Sequence, residues 1–337
     1  MAIEKGLYAA PEGLEEEAKE GAGLEIEIVD PEMVTLDDGS MEITIVPDAK
    51  IGDMTQFDAN LAEFLDENAL SLLADDVMGL VASDMDARKE WADTFVEGLD
   101  LLGLKIEERA EPFQGACGVF STVLSEAAIR FQAEAMSETF PASGPVRTKV
   151  IGEEDKDKLE AADRVKADMN YELTEKMVEY RSEHERLLYS LGLSGSAFKK
   201  VYFDPNLGRQ VAIYIPAEDV IVPYGASNIE TAERVTHVMR KTKNELRKLQ
   251  VSGFYRDIDL GDPTPYHSDI EERKAKDSGY SMSDDDRYAI YEIHADMVID
   301  GIDDEDDIAK PYVVTVERGY NTVLAIRRNW NPDDRLQ

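Results

Sequence analysis

The chain has a single cysteine, Cys117, and that alone excludes an internal disulfide. With four histidines and no Cys/His cluster there is no zinc-type ligand set. Cys117, near an expected helix start, reads as a small buried residue. No segment approaches the ~20 apolar residues of a membrane span. The N-terminus, MAIEKGLYAAPEGLEEEAKE, lacks the basic region and apolar core of a signal peptide, so the expectation is a soluble protein made in a cytoplasm. Basic charge is also scarce: 36 Lys and Arg face 72 Asp and Glu, a formal charge of −36. Such a field favours solubility or high-salt life, and it repels nucleic acid wherever no locally basic surface intervenes. A hydrophobic content of 43% over 337 residues still allows a true core, in two domains or one elaborated domain.

What is present reads as α+β, with long amphipathic helices on small antiparallel sheets. Residues 1–56 form an acidic arm, with fourteen Asp/Glu and three Lys in the first fifty. Leu24–Val29 and Met41–Val46 alternate at period two, but charge and Gly/Pro punctuation favour a flexible arm over edge strands. Residues 57–255 form the main domain. Leu61, Phe64, Leu65, Ala69, Leu72, Leu73, Val77, Leu80 and Val81 recur at helical spacing. A second helix, Asp86–Leu102, spaces Trp91, Phe95 and Leu99 one turn apart and stops at Gly103. A third, about Gly118–Phe140, is broken by Pro141-Ala-Ser-Gly-Pro145 and followed by an extended Val146–Ile151. The longest stripe covers 155–191, from Leu159 and Ala162 to Leu188 and Leu191. Unbroken it would be roughly 55 Å long, with a break expected near Asn170-Tyr171.

Leu193–Tyr224 then reads as a loop, a strand, an Asp204-Pro-Asn-Leu-Gly208 turn, a second strand and a short third. Arg234–Met239 alternates as a strand, and Thr242-Lys-Asn-Glu245 is a capping box opening a short helix that ends near Gly253. Residues 256–286 resemble a linker or mobile loop. Residues 287–337 are β-rich: Tyr288–His294 alternates, and Tyr312–Val316 pairs with Val323–Ile326. The halt at Arg335-Leu-Gln337, without a helix stop, points to a fragment of a longer polypeptide.

No catalytic, cofactor-binding or metal-ligating residue can be assigned. Gly192-Leu-Ser-Gly-Ser-Ala-Phe-Lys-Lys200 lacks the Gly-Lys-Ser/Thr order of a phosphate loop, and its lysines sit in a strand. His184-Glu185 begins like a zinc-protease helix, but Leu188 stands where the second His belongs, leaving His184 as a surface residue. The acidic run Asp300–Asp307 lacks the ordered spacing of a calcium loop and reads as solvated charge. His237 and His294 lie in strands with no Ser, Cys or carboxylate partner placed by sequence.

Several ordered blocks carry a family resemblance. They are Pro112-Phe-Gln-Gly-Ala116, Phe131-Gln-Ala133, Phe140-Pro-Ala-Ser-Gly-Pro-Val-Arg-Thr-Lys149, Met169-Asn-Tyr171, Gly195-Ser-Ala-Phe-Lys-Lys-Val-Tyr202, Pro216–Tyr224, Gly253-Phe-Tyr-Arg-Asp257 and Arg327-Arg-Asn-Trp330. Over residues 57–337 the chain resembles the portal proteins, or head-to-tail connectors, of tailed double-stranded DNA phages, nearest to those of short-tailed phages; the arm before 57 does not share it. The resemblance implies a ring, usually of twelve subunits, at one capsid vertex of the virion, assembled in the host cytoplasm. Its implied partners are further copies of itself, the major capsid and scaffolding proteins, the terminase large subunit, tail adaptor proteins, and double-stranded DNA passing through without sequence recognition. It implies no catalytic residues and no cofactor. The chain would be mostly wing, ending before the stem and clip. The alternatives are another phage head or tail structural protein, or a phage nucleic-acid-processing enzyme, which would need a clustered carboxylate or histidine site in a cleft.

Overall fold

The computed structural model of the protein describes residues 33–35, 41–43, 56–102, 113–115, 121–204, 207–264, 267–277, 287–302 and 308–330. The chain divides into two compact units, Met1–Ile51 and Gly52–Gln337. In the first, β1 (Met33–Thr35) pairs antiparallel with β2 (Met41–Ile43), Met33 opposite Ile43. The rest of the expected arm, Cys117 and most of the Asp300–Asp307 run lie outside the described residues.

The second unit is α+β. A 3-10 turn, Leu61–Glu63, leads into α1 (Glu67–Ala87) and α2 (Lys89–Leu101). Then come α3 (Val123–Thr139), α4 (Lys156–Tyr171) and α5 (Tyr180–Ser194). The hairpin β3 (Phe198–Asp204) and β4 (Arg209–Ile215) follows, with β5 (Val220–Ile221) and β6 (Arg234–Thr242) after it. The helices α6 (Lys243–Val251) and α7 (Asp269–Asp277) precede β7 (Arg287–Met297), β8 (Lys310–Glu317) and β9 (Thr322–Arg328). Strands β5 to β9 form one antiparallel meander in chain order, so residues 57–255 and 287–330 share a sheet. Among the described residues no helix is long and apolar enough to cross a membrane.

Both faces of the meander are covered, which is why Tyr288, Ala289, Ile290 and Tyr291 are all buried although a strand alternates. On one face Tyr291, Ile293, Val314 and Val316 meet Leu70, Ala74, Val77 and Val81 of α1. On the other, Tyr288, Ile290 and Leu324 meet Leu246 of α6 together with Tyr255 and Leu260. This corrects the expected stripe of the first helix: Leu72 and Leu80 are 69% and 47% exposed, because they lie opposite the Leu70–Val81 face. The first two helices meet at Arg88, whose guanidinium donates to the carbonyls of Ala217, Glu218 and Val220. Three main-chain acceptors for one side chain tie this bend to the loop before β5.

The outer edge of β9 is partly covered by a side chain. Asn60 donates through Nδ2 to the Leu324 carbonyl at 3.1 Å, and its Oδ1 accepts from Ile326 N–H at 3.0 Å. Together with Arg256, whose N–H also donates to the Leu324 carbonyl at 2.9 Å, this amide covers part of that edge. The expected break in the 155–191 run is found: α4 ends at Tyr171, a π-helical turn covers Glu172–Lys176, and α5 starts at Tyr180. The capping box is present, Thr242 Oγ1 accepting from Glu245 N–H while Glu245 Oε2 accepts from Thr242 N–H. At the start of 256–286, expected as a linker or mobile loop, Tyr255 and Leu260 are buried against the sheet while Asp257 and Asp259 between them are exposed. Helix α7 then docks through Ile270 and through ion pairs of Arg273 with Asp100 and Lys274 with Glu218.

Candidate functional site

The hairpin β3–β4 is the part of the chain where most of its unusual polar chemistry converges. Phe198 stands opposite Ile215 and Asp204 opposite Arg209. Helix α5 runs beside β4 and closes its edge with two carboxylates one turn apart. Glu183 Oε2 accepts from Tyr214 N–H at 2.8 Å, and Glu179 Oε1 accepts from Arg209 Nη1 at 2.8 Å. The hydrogen bond from Arg209 holds the Glu179 carboxyl below its ordinary range against the opposing effect of burial.

On the same helix His184 is half-buried, not the surface residue expected, because α3 and β3 close over it. Thr139 spends its hydroxyl hydrogen on the Ala135 carbonyl, so its oxygen accepts from His184 Nε2 at 2.8 Å. That leaves Nδ1 as the acceptor for Lys199 Nζ at 3.3 Å. The ring is therefore neutral, and burial followed by the Lys199 charge lowers its pKa. Lys199 also lies 4.0 Å above the Tyr180 ring.

The next lysine points the other way. Lys200 forms an ion pair with Glu292 of β7, crossing from the hairpin to the five-stranded sheet. The same Glu292 oxygen accepts from His294 Nε2 at 3.1 Å. His237, opposite Glu292 in the β6–β7 register, completes the group. Burial raises the Glu292 pKa, but the His294 hydrogen bond and the Lys200 charge outweigh it and bring the carboxyl to about 2. Burial, then the Lys200 charge, lowers His237 to about 4. At neutral pH the junction is thus one carboxylate already accepting from two donors and one neutral imidazole whose Nδ1 is buried without a hydrogen-bond partner. Such a group holds two sheets together; Glu292 has no proton to give and is too tightly solvated by its donors to take one.

Neither lysine of the phosphate-loop look-alike is therefore available to a phosphate. Of the two histidines that sequence left without a carboxylate partner, His294 hydrogen-bonds Glu292 and His237 stands opposite that glutamate in the register. Glu292 was missed, although its position two residues before His294 puts both on one face of a strand. Among the described residues no group of three His, Cys, Asp or Glu is arranged to hold a metal ion. Grooves of about 540 and 470 Å³ lie along α6 and between α2 and α5, and neither is lined by Lys200, His237, Glu292 or His294.

Two further joints rest on long-range pairing. Arg234 of β6 and Asp84 of α1 make a bidentate pair at 2.5 and 2.7 Å, with side chains only 16% and 5% exposed. Asn170 of α4 accepts from Val146 N–H at 3.0 Å and donates to the Val146 and Lys166 carbonyls at 3.3 and 2.8 Å. Its amide fills the space beside Gly144, where a Cβ would stand 2.3 Å from Asn170 Oδ1. Thr148 adds a hydrogen bond to the Ala162 carbonyl at 3.1 Å, so the extended 144–148 segment is clasped along α4. No protein-family model matches the chain, and no curated protein matches it.

Proposed function

We propose that the chain is a structural subunit of a portal-type ring, the conduit for DNA at one vertex of a tailed-phage capsid and the docking point for terminase and tail adaptor. The observation that carries this reading is the clasp at Asn170. Two blocks on which the family resemblance rests, Phe140–Lys149 and Met169–Tyr171, lie twenty-odd residues apart in sequence and meet as one unit through Gly144, Val146 and Asn170. Two blocks of the resemblance held by one side chain act as one physical unit, and that unity supports the reading more than either block alone. The polar clusters are consistent with a scaffold, since Glu292, Lys200, His184 and Lys199 are each spent on joining elements. A formal charge of −36 would keep passing DNA from sticking to such a ring.

Negative-stain imaging and native mass spectrometry of the purified protein test the reading. The expected result is a closed ring with a central hole and a single subunit number. Monomers at every concentration, or tight duplex-DNA binding that falls steeply with salt, would overturn it.

A further inference from the structure

The distribution of charge across the five-stranded sheet is uneven in a way that its fold does not require. Residues 58–100, which include α1 and α2, hold twelve Asp/Glu and only two basic residues, Arg88 and Lys89. Helix α1 itself has five acidic residues and no Lys or Arg, and its outer side exposes Asp76 and Asp86 beside Leu72 and Leu80. The opposite face of the sheet is covered by α6. Helix α6 holds three basic residues, Lys243, Arg247 and Lys248, against Glu245, within a chain where acids outnumber bases two to one, while Arg240 of β6 is paired with Asp219 and Glu271. Lys243, Arg247 and Lys248 are exposed, and Val251 and Phe254 beside them are 72% and 45% exposed. The acids nearest this surface are largely engaged: Glu245 in the capping box, and Asp257 with Arg247, leaving Asp259 on the groove wall.

Each molecule thus carries an acidic helix with exposed leucines on one side of its sheet and a basic helix with exposed apolar neighbours on the other. A two-fold contact would set acid on acid or base on base, and like charges directly opposed disfavour it. A head-to-tail contact sets unlike surfaces together, and it makes a ring where its rotation closes and an open filament where it does not. We infer that the outer face of α1 on one copy docks onto the outer face of α6 on the next. This rests on the ring reading above and adds its interface: acidic Asp76 and Asp86 with Leu72 and Leu80, against Lys243 and Lys248 with Val251 and Phe254.

Charge exchange tests the pairing on the full chain. Lys243→Glu/Lys248→Glu makes both surfaces acidic, and Asp76→Lys/Asp86→Lys makes both basic. Each double variant is expected to raise the concentration for half-assembly, by light scattering or mass photometry, by about tenfold or more. The quadruple variant, with the two signs exchanged, is expected to restore assembly. All four positions are exposed, and circular dichroism verifies the fold of each variant. As an independent readout, Asp76→Cys/Lys248→Cys in a Cys117→Ser background should give a ladder beyond the dimer on a non-reducing gel. A wild-type ring whose assembly ignores both double variants, or fails to return in the quadruple, overturns this interface and leaves the ring reading standing. Wild-type monomers overturn both. Loss of duplex-DNA binding in Lys243→Glu/Lys248→Glu with the ring intact would assign α6 to nucleic acid and also overturn the inference.

Discussion

Replacing His237 with glutamine removes a titrating group from the junction between hairpin and sheet, and the consequence is a change in acid stability with a defined window. In the folded protein the imidazole is brought down to about 4, by burial first and the Lys200 charge second, from an ordinary value of 6.5. Above pH 6.5 the ring is neutral whether the chain is folded or not, and its contribution is fully present. As pH falls below 6.5 the unfolded chain takes up a proton that the native state refuses, so stability drops until about pH 4. At roughly 1.4 kcal/mol per pH unit the whole drop is about 3 kcal/mol, trimmed toward 2 because the ring is only partly buried. His184 works in the same direction, its pKa being lowered by burial and Lys199. Glu292 acts lower down: its folded carboxyl titrates at about 2 instead of 4.5, so its contribution is lost as pH falls from 4.5 toward 2. The net charge of −36 opposes both trends, since acidification relieves self-repulsion. The informative quantity is therefore the difference between wild type and His237→Gln in urea denaturation midpoints at pH 7.5, 6.5, 5.5 and 4.5 at constant ionic strength. The variant should lose less stability than wild type between pH 6.5 and 4.5. Parallel curves across that window would refute the argument that His237 is held neutral by the fold.

The joint between α1 and the sheet gives a larger effect at neutral pH. Asp84→Ala leaves the Arg234 guanidinium buried without its bidentate partner and should cost about 3–5 kcal/mol in urea denaturation, whereas Asp84→Leu/Arg234→Met should recover most of it. Gly144→Ala meets two obstacles, a backbone φ of +96° and the Asn170 amide 2.3 Å from the new Cβ. It should destabilise the clasp by at least about 1–2 kcal/mol and speed hydrogen exchange at the Val146 amide. Adding Asn170→Ala relieves only the steric part, so the double variant should stay below wild type in thermal melts.

Local chemistry was legible in the sequence wherever one element carried its own signal. The Thr242/Glu245 capping box, the hairpin turn after Asp204, the pairing of Tyr312–Val316 with Val323–Ile326 and the interruption of the 155–191 run all follow from neighbouring residues. The first helix was legible as a helix, but its buried face was not. Leu, Val and Ala occur on more than one side of α1, so periodicity alone ranks Leu72 with Val77, while the sheet accepts only the Leu70, Ala74, Val77 and Val81 side. Helix α7 was hidden for the opposite reason. Asp269–Asp277 has a single buried apolar anchor, Ile270, and is held by ion pairs whose partners lie 56 and 173 residues away.

The junction beneath the hairpin combines both limits. Lys200 and Glu292 are 92 residues apart, and neither has a local pattern that names the other. What sequence could have offered is the facing of residues within a strand: Glu292 and His294 share a face by alternation, and a buried strand with two polar residues on one face needs cations and donors from somewhere. The β6–β7 register then puts His237 opposite Glu292. A partly buried polar pair between two sheets also constrains how they can be joined. A slip of one residue in β3 that brought Val201 into the place of Lys200 would strand the Glu292 carboxylate. The ion pair therefore disfavours that slip of hairpin on sheet, because it would leave a partly buried carboxylate without its cation.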